Sequence, residues 1–100
     1  MDGKDMKYLA ELDFEHADFK ELMKKGMAYE EEKAKNPDEW PGQFLDVYFT
    51  VKGWKAIAIW DATPEQIANK IAYMLPEVKY TLTPIIHYQE FFKHYMKFNK

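Results

Sequence analysis

The chain has 100 residues, a net charge of −3 and no cysteine, which excludes disulfide frameworks, zinc ribbons and thiol nucleophiles. Serine and arginine are also absent, which removes serine-based hydrolases and the side chain best suited to bidentate phosphate or guanine recognition. With 47% hydrophobic and 17% aromatic residues, we expect a single domain with a real core and no nucleic-acid partner.

Membrane insertion and secretion are not indicated by the sequence. No apolar stretch approaches the roughly 20 residues that a spanning helix needs. The beginning, "MDGKDMKYLAEL", lacks the charged-then-apolar layout of a signal peptide. We therefore expect a cytoplasmic protein with no membrane partner, whose residues 1–5 are loose.

The first half of the chain predicts a strand, a helix and a pair of strands. "MKYLAELDF" (6–14) alternates with the period of a strand. A helix is then predicted to begin near His16 or Ala17 and to end before Asn36, because proline follows. "QFLDVYFTV" and "WKAIAIWDA" alternate again, which predicts two strands joined at Lys52-Gly53.

The second half predicts a helix and a fourth strand. In "TPEQ", Thr63 can cap a helix, Pro64 suits its first position and Gln66 completes a capping box. The buried stripe of this helix is predicted to consist of Ile67, Ile71, Met74 and Leu75. "VKYTLTPII" (78–86) follows as a strand, and Pro84 implies that this strand lies at a sheet edge or ends there.

The last residues, "TLTPIIHYQEFFKHYMKFNK", contain an amphipathic helical pattern from Tyr88 onward. Its apolar stripe is predicted to dock on its own domain or on a partner subunit. Glu90 and His94 are one turn apart on the opposite face, a spacing open to two metal ligands. We interpret them as part of a solvated face, and expect no metal site.

This order of elements predicts a single α+β domain (1–100) with the ferredoxin-like plan, a four-stranded antiparallel sheet with two helices on one face. Residues 88–100 form a helical extension. The side chains expected under the helices are Leu45, Val47, Phe49, Ile57 and Ile59. Those expected on the opposite sheet face are Leu9, Phe44, Tyr48, Trp54, Trp60 and Ile85. Because so apolar a face usually marks an interface or a ligand site, we expect a second copy to cover it, giving a homodimer or a higher oligomer.

The strand, acidic turn and capped helix in "GWKAIAIWDATPEQI" and the final strand "VKYTLTPII" resemble the dimeric α+β barrel superfamily, most closely its small uncharacterised members. The resemblance covers about residues 6–87. It implies two sheets closed face to face around a cavity. Relatives in the superfamily include muconolactone isomerases and cofactor-independent quinone-forming monooxygenases, whose catalytic residues match no positions here.

Three polar residues are candidates for catalysis. His87 falls on the expected cavity face by alternation from Val78, and a histidine with its usual pKa of about 6.5 suits acid-base work. Glu11 and Asp46 are carboxylates in mid-strand, where propensity disfavours them, so a polar cavity would explain them. The alternatives are that His87 only ends its strand and that Glu11 and Asp46 meet lysines or water.

The aromatic residues of the expected cavity face are candidates for ligand binding. Tyr48, Trp54 and Trp60 could stack on a planar ligand, with Thr83 beside them, or could simply pack in an interface.

Two functions follow from these residues. The first is an enzyme or binding protein for a small, largely apolar or aromatic molecule, held between sheet and helices or inside the barrel. Its chemistry would be a cofactor-independent isomerase or oxygenase reaction. The second is a non-enzymatic oligomeric ligand sensor or interaction module, whose aromatic surfaces are consumed by assembly.

Overall fold

The computed structural model describes residues 6–15, 17–51 and 53–99. The expectations for residues 1–5, for a helix start at His16 and for Lys52 lie outside these residues. The elements are β1 (Met6–Asp13), α1 (Phe19–Lys35), β2 (Gly42–Phe49), β3 (Lys55–Ala62), α2 (Pro64–Met74), β4 (Lys79–Pro84) and α3 (Tyr88–Phe98). A 3-10 turn, Pro37–Glu39, lies before β2.

The four strands form one antiparallel sheet in the order β2-β3-β1-β4. Side chains of α1 and α2 pack on the same face of this sheet, Leu22 beside Ala56 and Ile67 beside Ala58. The predicted ferredoxin-like α+β fold is therefore confirmed. Pro84 ends β4, which is an edge strand, as predicted.

Local sequence signals fix the helix starts. Thr63 Oγ1 accepts a hydrogen bond from the Gln66 backbone N–H at 3.2 Å, and Gln66 Oε1 accepts one from the Thr63 N–H at 3.0 Å. This is the predicted capping box of α2. The first helix begins later than predicted, at Phe19, because Asp18 caps it by accepting from the N–H groups of Lys20 and Glu21.

The predicted orientation of β3 is wrong. Trp60 is only 2% exposed and packs in the core beneath the helices with its small neighbours Ala58 and Ala62. Ile57 and Ile59 lie on the opposite face instead. The small alanines allow close packing of α2 on the sheet, and burial of the large Trp60 side chain removes more apolar surface from water than burial of an isoleucine.

The predicted alternation of β2 is correct only in part. The register of β2 against β3 shifts between Gln43 and Leu45 and again between Leu45 and Tyr48. These irregularities place Leu45 opposite Ile59, on the face away from the helices, whereas Phe49 pairs with Ala56 on the helix side. Leu45 had been expected under the helices, and this expectation is wrong.

The last helix, α3, does not pack on its own domain. Every residue from Ile86 to Asn99 is exposed, and apolar side chains such as Phe91 and Phe98 are more than half accessible. Of the two surfaces expected to cover its stripe, its own domain is therefore excluded, and docking on a partner subunit stays a prediction. Leu75, predicted in the buried stripe of α2, follows that helix and is 47% exposed.

Candidate functional site

A cleft of about 320 Å³ opens between α1 and the helix side of the sheet. Its α1 wall carries Phe19, Met23 and Met27, and its sheet wall carries Val47 and Phe49. This volume is at the lower end of the range of pockets that hold small molecules. The cleft lies between sheet and helices, one of the two locations that the sequence suggested for a cavity.

The cleft stays open because α1 does not cover the edge strand β2. Met27 and Phe49, on opposite walls, remain 67% and 59% exposed. Gly26 contributes no side chain at the centre of the α1 wall, and no atom lies within 4 Å of where its Cβ would be. Glycine in a helix interior costs about 0.5–1 kcal/mol relative to alanine, so Gly26 gives up stability where it widens the cleft.

An aromatic cluster fixes one side chain of the cleft, Tyr29. The ring of Tyr29 lies edge-on to Trp40 at 5.2 Å between centroids and beside Tyr73 at 5.9 Å. Trp40 and Tyr73 also contact each other at 5.5 Å. Three mutually packed rings hold Tyr29, which is 5% exposed, in one orientation.

Lys70 enters the cleft from α2. Its ammonium nitrogen lies 3.2 Å from the centroid of the Tyr29 ring, a cation–π contact. Burial, and secondarily the charge of Lys33, lowers the pKa of Lys70 from its ordinary 10.5 to about 7, and Glu30 opposes this effect. Near neutral pH the amine is therefore divided between its charged and neutral forms.

A second polar group of the cleft, the Tyr80 hydroxyl, is buried without a hydrogen-bond partner among the described residues. Burial, with a smaller contribution from Tyr29, raises the pKa of Tyr80 well above its usual range. An unpaired buried hydroxyl costs free energy. Gly26, Lys70 and the Tyr80 hydroxyl are thus three features of the cleft that lower the stability of the fold.

The predicted catalytic residues are not brought together. His87 is the N-cap of α3, where its Nδ1 accepts from the Gln89 N–H at 3.1 Å, so its predicted place on the sheet face is wrong. Glu11 is exposed on β1 and lies opposite Thr81 of β4. Thr81 precedes His87 by six residues in the chain. Asp46 is exposed on β2, at the other edge of the sheet, and accepts from the Val47 N–H.

The four predicted ligand residues are divided between the two sides of the sheet. Tyr48 and Thr83 lie on the face away from the helices, as expected, but on the two opposite edge strands. Trp54 precedes β3 and packs against Phe14 and the α1 residue Phe19 on the helix side. Trp60 is in the core, so the expected position of both tryptophans on the open face is wrong.

Sequence reasoning missed Lys70, although a signal for it is present. Ile67, Ile71 and Met74 form the apolar stripe of α2, and Lys70 occupies the i+3 position of the same stripe. A lysine at such a position has to reach past its apolar neighbours to water or sit in a cavity. The structure shows the second arrangement.

Within residues 6–15, 17–51 and 53–99, no group of three or more histidine, aspartate or glutamate side chains is arranged to hold a metal ion. Glu90 and His94 are both exposed, and Glu90 accepts from Lys93 Nζ at 3.2 Å. None of the helices described has the length and apolar character needed to cross a membrane.

No protein-family model, no curated protein and no solved structure matches this chain. The class is therefore defined by the molecule itself: an α+β ferredoxin-like domain with an apolar cleft lined in part by the half-buried Lys70.

Proposed function

We propose that the protein binds a small, largely apolar molecule in the cleft between α1 and the sheet. The observation that carries this proposal is the cleft itself, with apolar side chains on both walls and a glycine at the centre of one. Pockets of this kind, with a few polar groups in an apolar lining, are the usual form of small-molecule sites.

A neutral fluorescent probe tests this proposal directly. N-phenyl-1-naphthylamine, which carries no formal charge, should bind to the full chain with a rise in fluorescence. The variant Gly26→Leu fills the cleft at its centre and should abolish that binding. Ala28→Leu is the matched control, because Ala28 is an exposed α1 residue outside the cleft. Equal probe binding by Gly26→Leu and the wild type would refute the proposed site.

We propose further that two copies assemble through the sheet face away from the helices, as in a dimeric α+β barrel. That face includes Leu9, Ile57 and Ile59 from the two central strands; Ile57 is 37% exposed, and Leu9 and Ile59 remain partly accessible. The apolar stripe of α3 is a second uncovered surface on the same chain. A helix of eleven residues is marginal in water alone, so α3 also needs a partner surface, and a second copy supplies both contacts.

Native mass spectrometry tests the assembly and reports any compound that co-purifies. We expect a dimer for the wild type and a monomer for Ile59→Glu, which places a charge at the centre of the open face. Ala72→Glu, at an exposed position on α2, should remain dimeric. A wild type that stays monomeric at all concentrations would refute the assembly proposal and leave the cleft proposal standing.

The alternative is an interaction module without a small-molecule ligand, in which assembly consumes the apolar surfaces. The exposed stripe of α3 is the observation that favours it. If the cleft is filled by protein in the dimer, the neutral probe will bind only to the monomeric Ile59→Glu variant. Probe binding by the wild-type dimer would instead rule out this alternative.

A further inference from the structure

We propose that the ligand of the cleft is a carboxylic acid with an apolar body, and that its carboxylate pairs with the ammonium group of Lys70. This inference rests on the proposed function and specifies the chemistry of the ligand. It assigns Lys70 as the residue that recognises the head group and the α1 wall as the surface that holds the body.

The first argument is that Lys70 has no carboxylate partner among the described residues. The ion pairs found there use other lysines, such as Lys25, whose Nζ lies 2.6 Å from Glu77 Oε1, and Lys7, which lies 3.7 Å from Asp61. Lys70 contacts the face of the Tyr29 ring instead. A charge that is half-buried without a counter-ion is unfavourable, and an anionic ligand is the partner that would correct this.

The charges around Lys70 favour an anion. From α1, Glu30 stabilises the charged amine and Lys33 opposes it, and the neutral phenols Tyr29 and Tyr80 complete its titratable surroundings. Glu30 is exposed and is not within ion-pair distance of Lys70. Lys33 does not line the cleft, but with Lys70 charged it adds a second positive charge near the amine against the one carboxylate of Glu30, so the surroundings of the amine are net positive.

The remaining lining selects an apolar body. Met23, Met27 and Met74 line the cleft, and unbranched thioether side chains adapt to flexible or irregular apolar shapes. An acid with an alkyl chain therefore fits better than a small polar acid such as acetate. The site as a whole combines one cationic group with a flexible apolar wall.

The experiment compares decanoate with decanol, which share an alkyl chain and differ in the charge of the head group. Each compound displaces N-phenyl-1-naphthylamine from the full-length protein at pH 6, where most Lys70 side chains are charged. We expect decanoate to compete at least about tenfold more strongly than decanol, since charge-assisted hydrogen bonds are worth this much or more.

Variants separate Lys70 from general charge effects. In Lys70→Met, the ratio of the decanoate affinity to the decanol affinity should fall at least about tenfold. Lys24→Met removes an exposed lysine of α1 outside the cleft and should change none of these affinities. A cooperative urea unfolding transition shows that Lys70→Met is folded.

The pH dependence gives an independent readout. Carboxylate binding requires the ammonium form, so the affinity for decanoate should fall about tenfold between pH 6 and pH 8, given a pKa of about 7 in the free protein. Decanol affinity should not change over this range.

The outcomes distinguish the two proposals. If the probe binds but decanol and decanoate compete equally, or Lys70→Met leaves the ratio of their affinities unchanged, the carboxylate inference is wrong and the apolar cleft remains. If the probe does not bind at all, the proposed function is wrong and the inference falls with it.

Discussion

The substitution Lys70→Met should stabilise the protein, and by an amount that depends on pH. Burial lowers the pKa of Lys70 from 10.5 to about 7 in the folded chain. Between these two values the unfolded chain binds more protons than the folded chain, so the free energy of unfolding of the wild type rises with pH. Lys70 is therefore most unfavourable below pH 7, and its cost disappears as the pH approaches 10.5.

The size of the effect follows from the two pKa values. Their separation of about 3.5 corresponds to a cost of about 5 kcal/mol when Lys70 is fully charged, which is a ceiling. Applying the linkage relation between pH 7 and pH 9, the cost falls by about 2 kcal/mol. Methionine has a similar length and carries no charge. It loses the cation–π contact with Tyr29, worth about 0.5–2 kcal/mol, which offsets part of the gain.

Urea unfolding of the wild type and of Lys70→Met, measured from pH 6 to pH 9, checks this reasoning. Subtracting the two curves cancels the other titrating groups, so the stability advantage of Lys70→Met should shrink by about 2 kcal/mol between pH 7 and pH 9. Lys24→Met is the control, because the Lys24 side chain is 77% exposed and its difference from the wild type should not vary with pH. A constant difference for Lys70→Met would show that Lys70 keeps an ordinary pKa, and would refute the argument from burial.

Three further substitutions test other features of the structure. Gly26→Ala should raise the free energy of unfolding by about 0.5–1 kcal/mol, because open space surrounds the added methyl group. The control Ala28→Gly should lower this free energy by a similar amount. A loss of stability in Gly26→Ala, measured by urea unfolding, would contradict the open cleft. Tyr80→Phe should raise the free energy of unfolding by about 1 kcal/mol, because it removes a buried hydroxyl without a hydrogen-bond partner among the described residues. A lower free energy of unfolding would mean that the hydroxyl is hydrogen-bonded. His87→Ala removes the cap that accepts from the Gln89 N–H, so hydrogen exchange should quicken in the first turn of α3. In the monomeric Ile59→Glu background the global unfolding midpoint should stay unchanged, and a large fall in that midpoint would show that α3 packs on its own domain.

The element order could be predicted because each element carries a local signal. Alternation, the capping box at Thr63 and the proline at position 84 depend only on neighbouring residues. Which side of β3 lies under the helices could not be predicted, because both sides are apolar. One side carries isoleucines, and the other carries Trp60 and alanines. Only the packing of α2 decides between these two sets. The register of β2 failed for another reason, because strict alternation cannot account for the irregularities on either side of Leu45.

The candidate site was predictable only in outline. An apolar cavity between sheet and helices was among the expectations, and the helix that forms one wall of the cleft was predicted from the sequence. The polar residues of the cleft, Lys70 and Tyr80, were not predicted as site residues. In the sequence Tyr80 is an ordinary strand residue, and Lys70 is a single interruption of an apolar stripe. His87 was misassigned because alternation was extended past the end of β4, where the chain turns into a helix.

The irregular edge strand β2 limits how copies of this chain can add to one another. A long, regular edge presents an unbroken row of backbone donors and acceptors, onto which a strand from another molecule can pair to give an open-ended aggregate. The two register shifts in β2 interrupt that row, and on the opposite edge β4 is only six residues long and ends at Pro84. Both borders of the sheet are therefore poor templates for strand addition. Growth of the sheet into ribbons is disfavoured, which is consistent with the closed, face-to-face association that we propose for the apolar face.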